Sequence, residues 1–95
     1  MAFGFVAFHY PAPEHLEEFV RKVHQVADAS RRQPGFLSVE VWVTPDRNAV
    51  VTTGSYETRE AFLAAAEVGR EMGATPDGIS DLEIRPRQVH FLESR

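Results

Sequence analysis

Acid–base and binding chemistry in this chain would fall to four histidines, a few hydroxyls and two late arginines. His9 closes an apolar, aromatic run (residues 2–10, AFGFVAFHY) and stands beside Tyr10. An imidazole titrates near neutrality, so with a pocket beside it His9 could accept a phenolic proton. The competing reading is a strand-end histidine half in water. Thr52 and Tyr56 are four apart in an extended segment, so both point the same way. Tyr56 also stands just before a helix, a good place for a pocket group. Trp42 is the only tryptophan. It either stacks on an aromatic ligand or serves core or interface packing. Arg85 and Arg87 could clamp an acidic substrate, or pair at the surface of an edge strand.

His24 flanks a helical apolar stripe and stands four before Asp28. It reads as a boundary residue paired to that carboxylate and is kept among the pocket candidates. His15 reads as a solvated helix-start residue, and His90 falls in the last strand. The histidines show no i,i+4 spacing and have no cysteine partner, so no metal site is expected. A glycine-rich phosphate loop, a catalytic carboxylate pair and a nucleophile elbow are all missing.

The elements that must position these residues follow from periodicity. Residues 2–10 predict a strand stopped by Pro11 and Pro13. A helix opens at Pro13-Glu14 and runs to about Arg32. Its buried stripe is Leu16, Phe19, Val20, Val23, Val26 and Ala27. Glu17–Arg21 and Glu18–Lys22 are expected ion pairs on its wet side. Residues 36–43 predict a second strand, with Leu37, Val39, Val41 and Val43 on one face and Phe36, Ser38, Glu40 and Trp42 on the other. Residues 45–48 form a turn and 49–56 a third strand. Thr58 caps a second helix that runs to about Met72. Residues 73–78 form a loop, and 82–92 a last strand whose Pro86 marks an edge or a bulge.

This β-α-β-β-α-β order predicts an α+β, ferredoxin-like fold, an antiparallel sheet with both helices on one face. Ala65, Ala66 and Gly69 are small on the helix face aimed at the sheet, and Gly54 is small in the strand opposite. Missing volume there makes a pocket, unless it only lets the helix come closer. The first strand carries large apolar groups on both faces. A sheet face of several hundred Å² of apolar surface calls for a cover, and a second copy packed sheet to sheet supplies it. A homodimer is expected.

The chain has 95 residues, so one domain over 1–95 is expected. With 14 acidic and 10 basic residues its formal charge is -4, which argues against nucleic-acid or anionic-membrane partners. An RNA-binding module of the same topology would need basic residues among its sheet aromatics. Cysteine is absent, which excludes disulfide scaffolds, thiol nucleophiles and Cys-ligated metals. No apolar run approaches the roughly 20 residues that span a bilayer, and residues 1–10 lack a basic leader pattern. A soluble, cytoplasmic domain is the expectation.

Three stretches together resemble the antibiotic biosynthesis monooxygenase family: QPGFLSVEVW (33–42), TPDRNAVVTTGSYETREAF (44–62) and PEHLEEF (13–19). The resemblance covers nearly the whole chain. It implies ferredoxin-like protomers that pair as a dimeric α+β barrel. The family includes quinone-forming oxygenases that need no metal or flavin, haem-degrading enzymes and members with no assigned reaction. Quinone-forming members carry an Asn at the position matching Thr52, a Trp matching Tyr56 and a Tyr matching Phe62. The residues here keep an aromatic wall and one hydroxyl, and lose the amide and one phenol. Haem-degrading members place a Trp and a His on helix two, and residues 61–72 contain neither.

The resemblance thus implies a cofactor-independent monooxygenase acting on an anthrone-like or polycyclic phenolic molecule, with no cofactor and no metal. In that reading His9 is the base, Tyr56 and Thr52 are hydrogen bonders, and Trp42, Phe62 and His24 contact the substrate. The alternative is a non-catalytic small-molecule-binding or accessory dimer of the same fold.

Overall fold

In the computed structural model, residues 1–72 and 82–95 are described. The elements are β1 (Phe3–His9), a 3₁₀ turn (Pro13–His15), α1 (Leu16–Ser30), β2 (Phe36–Val43), β3 (Val50–Tyr56), α2 (Arg59–Glu71) and β4 (Gln88–Glu93). The four strands form one antiparallel sheet in the order β2-β3-β1-β4. The fold is α+β and ferredoxin-like, as the element order predicts. The expected loop at 73–78 lies outside the described residues.

The core sits between α1 and the sheet. Phe19 and Val50 are fully buried, joined by Leu16, Val23 and Leu82, with Val20 and Val41 packed against them. These are the i, i+3, i+4 positions of the α1 stripe meeting the inward row of β3. The first helix begins later than expected, because Pro13–His15 form a 3₁₀ turn, and it ends earlier, at Ser30. Ser30 Oγ donates back to the Val26 carbonyl at 3.0 Å. Helix α2 has the expected cap: Thr58 Oγ1 accepts from Ala61 N at 3.1 Å.

Two expected ion pairs are replaced. Lys22 does pair with Glu18, at 3.8 Å, but Glu17 reaches across to Arg47 in the hairpin at 2.6 Å. Asp28 pairs with Arg31 rather than His24.

Strand β2 departs from simple alternation. Its register against β3 shifts between Phe36 and Ser38, so Phe36 faces Tyr56 while Val39 faces Gly54 and Val41 faces Thr52. One extra residue in a bulge turns everything before it to the other side. Phe36 therefore joins Val39 and Val41 on the helix side, its ring 5.8 Å from Tyr56, instead of sharing the outer face with Trp42. Leu37, at the bulge, is half exposed.

Gly35, between α1 and β2, has φ +83°, and a Cβ there would lie 2.7 Å from the Ala61 Cβ. Glycine is thus required by conformation and by the close approach of α2. The last strand is shorter than expected. Pairing with β1 begins only at Gln88, and Glu83 makes an isolated bridge to Pro11. Pro86 lies between the two stretches and has no N–H to continue a ladder.

Candidate functional site

A cavity of about 520 Å³ lies between the two helices and the sheet. Its floor is the inward row of three strands: Phe5, Ala7 and His9 from β1, Thr52 and Tyr56 from β3, and Val89 and Phe91 from β4. The register explains the set, since Ala7 pairs with both Thr52 and Val89, and Phe5 with Phe91. Its roof is Val23, Ala27 and Ser30 from α1 with Ala65, Ala66 and Gly69 from α2. The small α2 residues do face the void. Gly54 does not contribute to it: a Cβ there would lie 2.7 Å from the Phe5 ring, which lies across the glycine and fills its space. Leu63 and Arg70 on α2 and Val89 and Phe91 on β4 keep most of the solvent exposure, so the opening lies on that side among the described residues.

One end of the cavity is aromatic. Phe62 is its hub, with ring centroids 5.3 Å from Phe3, 5.7 Å from Phe5, 5.7 Å from Tyr56 and 5.6 Å from Phe91. The tilted and edge-on angles are those that aromatic quadrupoles favour.

The other end is polar. His9 is 4% exposed and Thr52 6%. His9 Nε2 and Thr52 Oγ1 are 3.1 Å apart. The His9 ring packs 5.3 Å from Phe19. Its Nδ1 lies 3.6 Å from Glu83 Oε1. Glu83 Oε2 in turn lies 3.7 Å from Arg87 Nη2. The half-in-water reading of His9 is thus replaced by a dry imidazole.

The six sequence candidates do not form one cluster. His9 and Thr52 touch, and Tyr56 and Phe62 touch, but the two pairs lie at opposite ends of one cavity. Thr52 and Tyr56 are four residue steps apart along β3, about 13 Å of backbone. Trp42 lies outside: it opposes Val51 on the outer face of the sheet and is 56% exposed. His24 lies outside too, on the solvent side of α1 between cavity-lining Val23 and Val26. Strand parity explains the place of Trp42, because Val41, not Trp42, shares the inward face with Thr52.

Arg85 stacks over the Tyr10 ring at 3.9 Å, away from the cavity, whereas Arg87 lines it. Glu83 escapes sequence reasoning. Its bridge to Pro11 joins segments far apart in the chain, and no residue pattern around it marks a buried carboxylate. Among the described residues there is no group of three or more His, Asp or Glu placed to hold a metal ion, and no helix long and apolar enough to cross a membrane.

Residues 2–67 match the family model of antibiotic biosynthesis monooxygenase, and the chain belongs to that family. Several solved structures share its fold. A conserved protein from Methanosarcina mazei Go1 superposes with a TM-score of 0.86 at 12% identity, covering 100% of this chain and 94% of that one. Rv0793 from Mycobacterium tuberculosis gives 0.81 at 17%, covering 100% and 96%. SnoaB, a cofactor-independent oxygenase from Streptomyces nogalater, gives 0.71 at 20%, covering 99% and 93%. No curated protein matches the sequence.

Proposed function

We propose that the protein is a cofactor-independent monooxygenase for an anthrone-like or polycyclic phenolic molecule, acting in the cytoplasm. The observation that carries this reading is one cavity of about 520 Å³ with an aromatic cluster at one end and a buried His9–Thr52 pair at the other. That volume falls in the roughly 300–1,000 Å³ range of small-molecule sites. Family membership and the fold shared with SnoaB, a cofactor-independent oxygenase, support it.

Flat rings would lie against Phe62, Phe5 and Tyr56, and the acidic C–H or O–H would meet His9. The imidazole takes that proton, directly or through the Thr52 hydroxyl, and the electron pair stays on the substrate. The resulting carbanion reduces O₂. For an activated methylene the sum is R₂CH₂ + O₂ → R₂C=O + H₂O. The substrate supplies all the electrons, so no external reductant enters. The apolar walls keep water from the anion, and the polar end stabilises it.

Oxygen uptake by metal-stripped protein, with hydroxyanthrones and no added cofactor, tests this. Uptake above the uncatalysed rate is expected. Saturable binding of the same compounds without uptake would favour the non-catalytic binding dimer instead.

We also propose that two copies pair through the outer sheet face. Val6, Phe8, Val51, Trp42 and Leu92 share that face by register, and no helix of the described residues covers it. Sedimentation velocity should show a dimer at micromolar concentration, and Trp42→Glu should shift it to monomer. A wild-type monomer would contradict the pairing.

A further inference from the structure

Backbone pairing sets the place of Glu83. Ile84 N donates to the Tyr10 carbonyl and Ala12 N to the Leu82 carbonyl, both at 2.8 Å, so Glu83 bridges Pro11. Pro11 has the side-chain parity of His9, and the bridge delivers Glu83 to the face that carries the imidazole. The Glu83 side chain is 5% exposed, with Oε1 toward His9 Nδ1 at 3.6 Å and Oε2 toward Arg87 Nη2 at 3.7 Å.

A neutral imidazole has two tautomers. With the proton on Nε2, the Nδ1 lone pair would face a buried carboxylate. That is a repulsive contact where little water screens it. With the proton on Nδ1, an N–H faces the carboxylate, and Nε2 presents its lone pair to the Thr52 hydroxyl, which donates at 3.1 Å. Such contacts are often long in the unliganded site and shorten when ligand binds.

We propose that Glu83 is a positioning residue that holds His9 as the Nδ1–H tautomer, so that Nε2 is the nitrogen that accepts the substrate proton. Proton transfer to Nε2 makes an imidazolium whose positive charge lies opposite the Glu83 carboxylate. The substrate proton ends on Nε2 and not on Glu83, and the electron pair of the broken bond stays on the substrate. The catalytic use of this arrangement rests on the oxygenase reading, but the tautomer can be read without substrate.

Long-range ¹H–¹⁵N spectra of ¹⁵N-labelled protein at alkaline pH distinguish the tautomers, with the His9 signals assigned by their loss in His9→Gln. A protonated Nδ1 and bare Nε2 are expected in the wild type and in Glu83→Asp, and a mixture in Glu83→Gln. An Nε2–H tautomer in the wild type, or an unchanged pattern in Glu83→Gln, would overturn the assignment. If Glu83→Gln fails to fold, the wild-type spectrum alone decides. With 1,8-dihydroxyanthrone as probe, Glu83→Gln should lower kcat on the order of 100-fold or more and leave KM unchanged, as mispositioned carboxylate–histidine pairs do. A wild type that is Nδ1–H but takes up no oxygen upholds Glu83 and sinks the oxygenase. Uptake by an Nε2–H wild type does the reverse.

Discussion

At one end of the cavity Phe3, Phe5, Tyr56, Phe62 and Phe91 pack with ring centroids 5.3 to 5.7 Å apart. At the other end His9–Thr52, His9–Glu83 and Glu83–Arg87 form a chain of contacts at 3.1, 3.6 and 3.7 Å, the first two between sequence-distant residues. The two ends obey different physics. Dispersion and apolar burial are non-directional, so the aromatic end can accept rings of several shapes. The polar end is directional: each buried group needs its partner at the right angle. In the proposed oxygenase, shape selection would therefore fall to the aromatic end and proton chemistry to the polar end.

That division can be broken from either side. The largest effect should come from His9→Gln, which removes the proposed base but leaves the aromatic walls. Oxygen uptake should fall by about 10²–10⁴-fold, while binding of a non-reacting anthraquinone persists. An oxygen electrode and a binding titration read the two separately. Phe62→Ala attacks the opposite end. It deletes the hub of four ring contacts and should destabilise the protein by about 2–3 kcal/mol, below the full core value because the ring is half-buried. Urea unfolding measures this, and ring binding should weaken in parallel. Thr52→Val keeps shape and removes the hydroxyl that faces His9 Nε2. A loss of about 1 kcal/mol, or roughly fivefold in uptake, is expected, with ring binding intact.

The smallest effect lies outside both ends. In the hairpin turn, the Thr44 hydroxyl and then the Asn48 backbone N–H hold the Asp46 carboxyl below its ordinary value of 3.8. A lowered folded value adds stability that is present above the unfolded value and lost as pH falls through the folded one. Thermal melts of wild type and Asp46→Asn should thus differ slightly at about pH 5 and converge as the pH falls below 3.8. Neither should alter ligand binding.

Much of the frame is legible in the sequence because it rests on local pattern. Strand β2 occupies 36–43 as alternation predicts, and Thr58 caps α2 as expected. The small residues of α2 announce the void above the sheet. The bulge at Leu37 is not legible, because one inserted residue leaves the local composition unchanged while turning Phe36 to the other face. Glu83 is hidden for a different reason. It reaches His9 through an isolated bridge to Pro11, a contact between distant segments that no periodicity encodes. Trp42 illustrates the opposite error: its type suits a ligand wall, but its parity with Glu40 and Ser38 places it on the outer face.

The claim that one ligand spans both ends is tested most directly by a crystal structure with bound 1,8-dihydroxyanthraquinone, a product-like molecule that cannot turn over. The account predicts a ligand oxygen within hydrogen-bond distance of His9 Nε2 or Thr52 Oγ1, with the rings against Phe62 and Tyr56. A ligand seated on the Trp42 face, or one confined to the aromatic end with its oxygens turned away from His9, would contradict it.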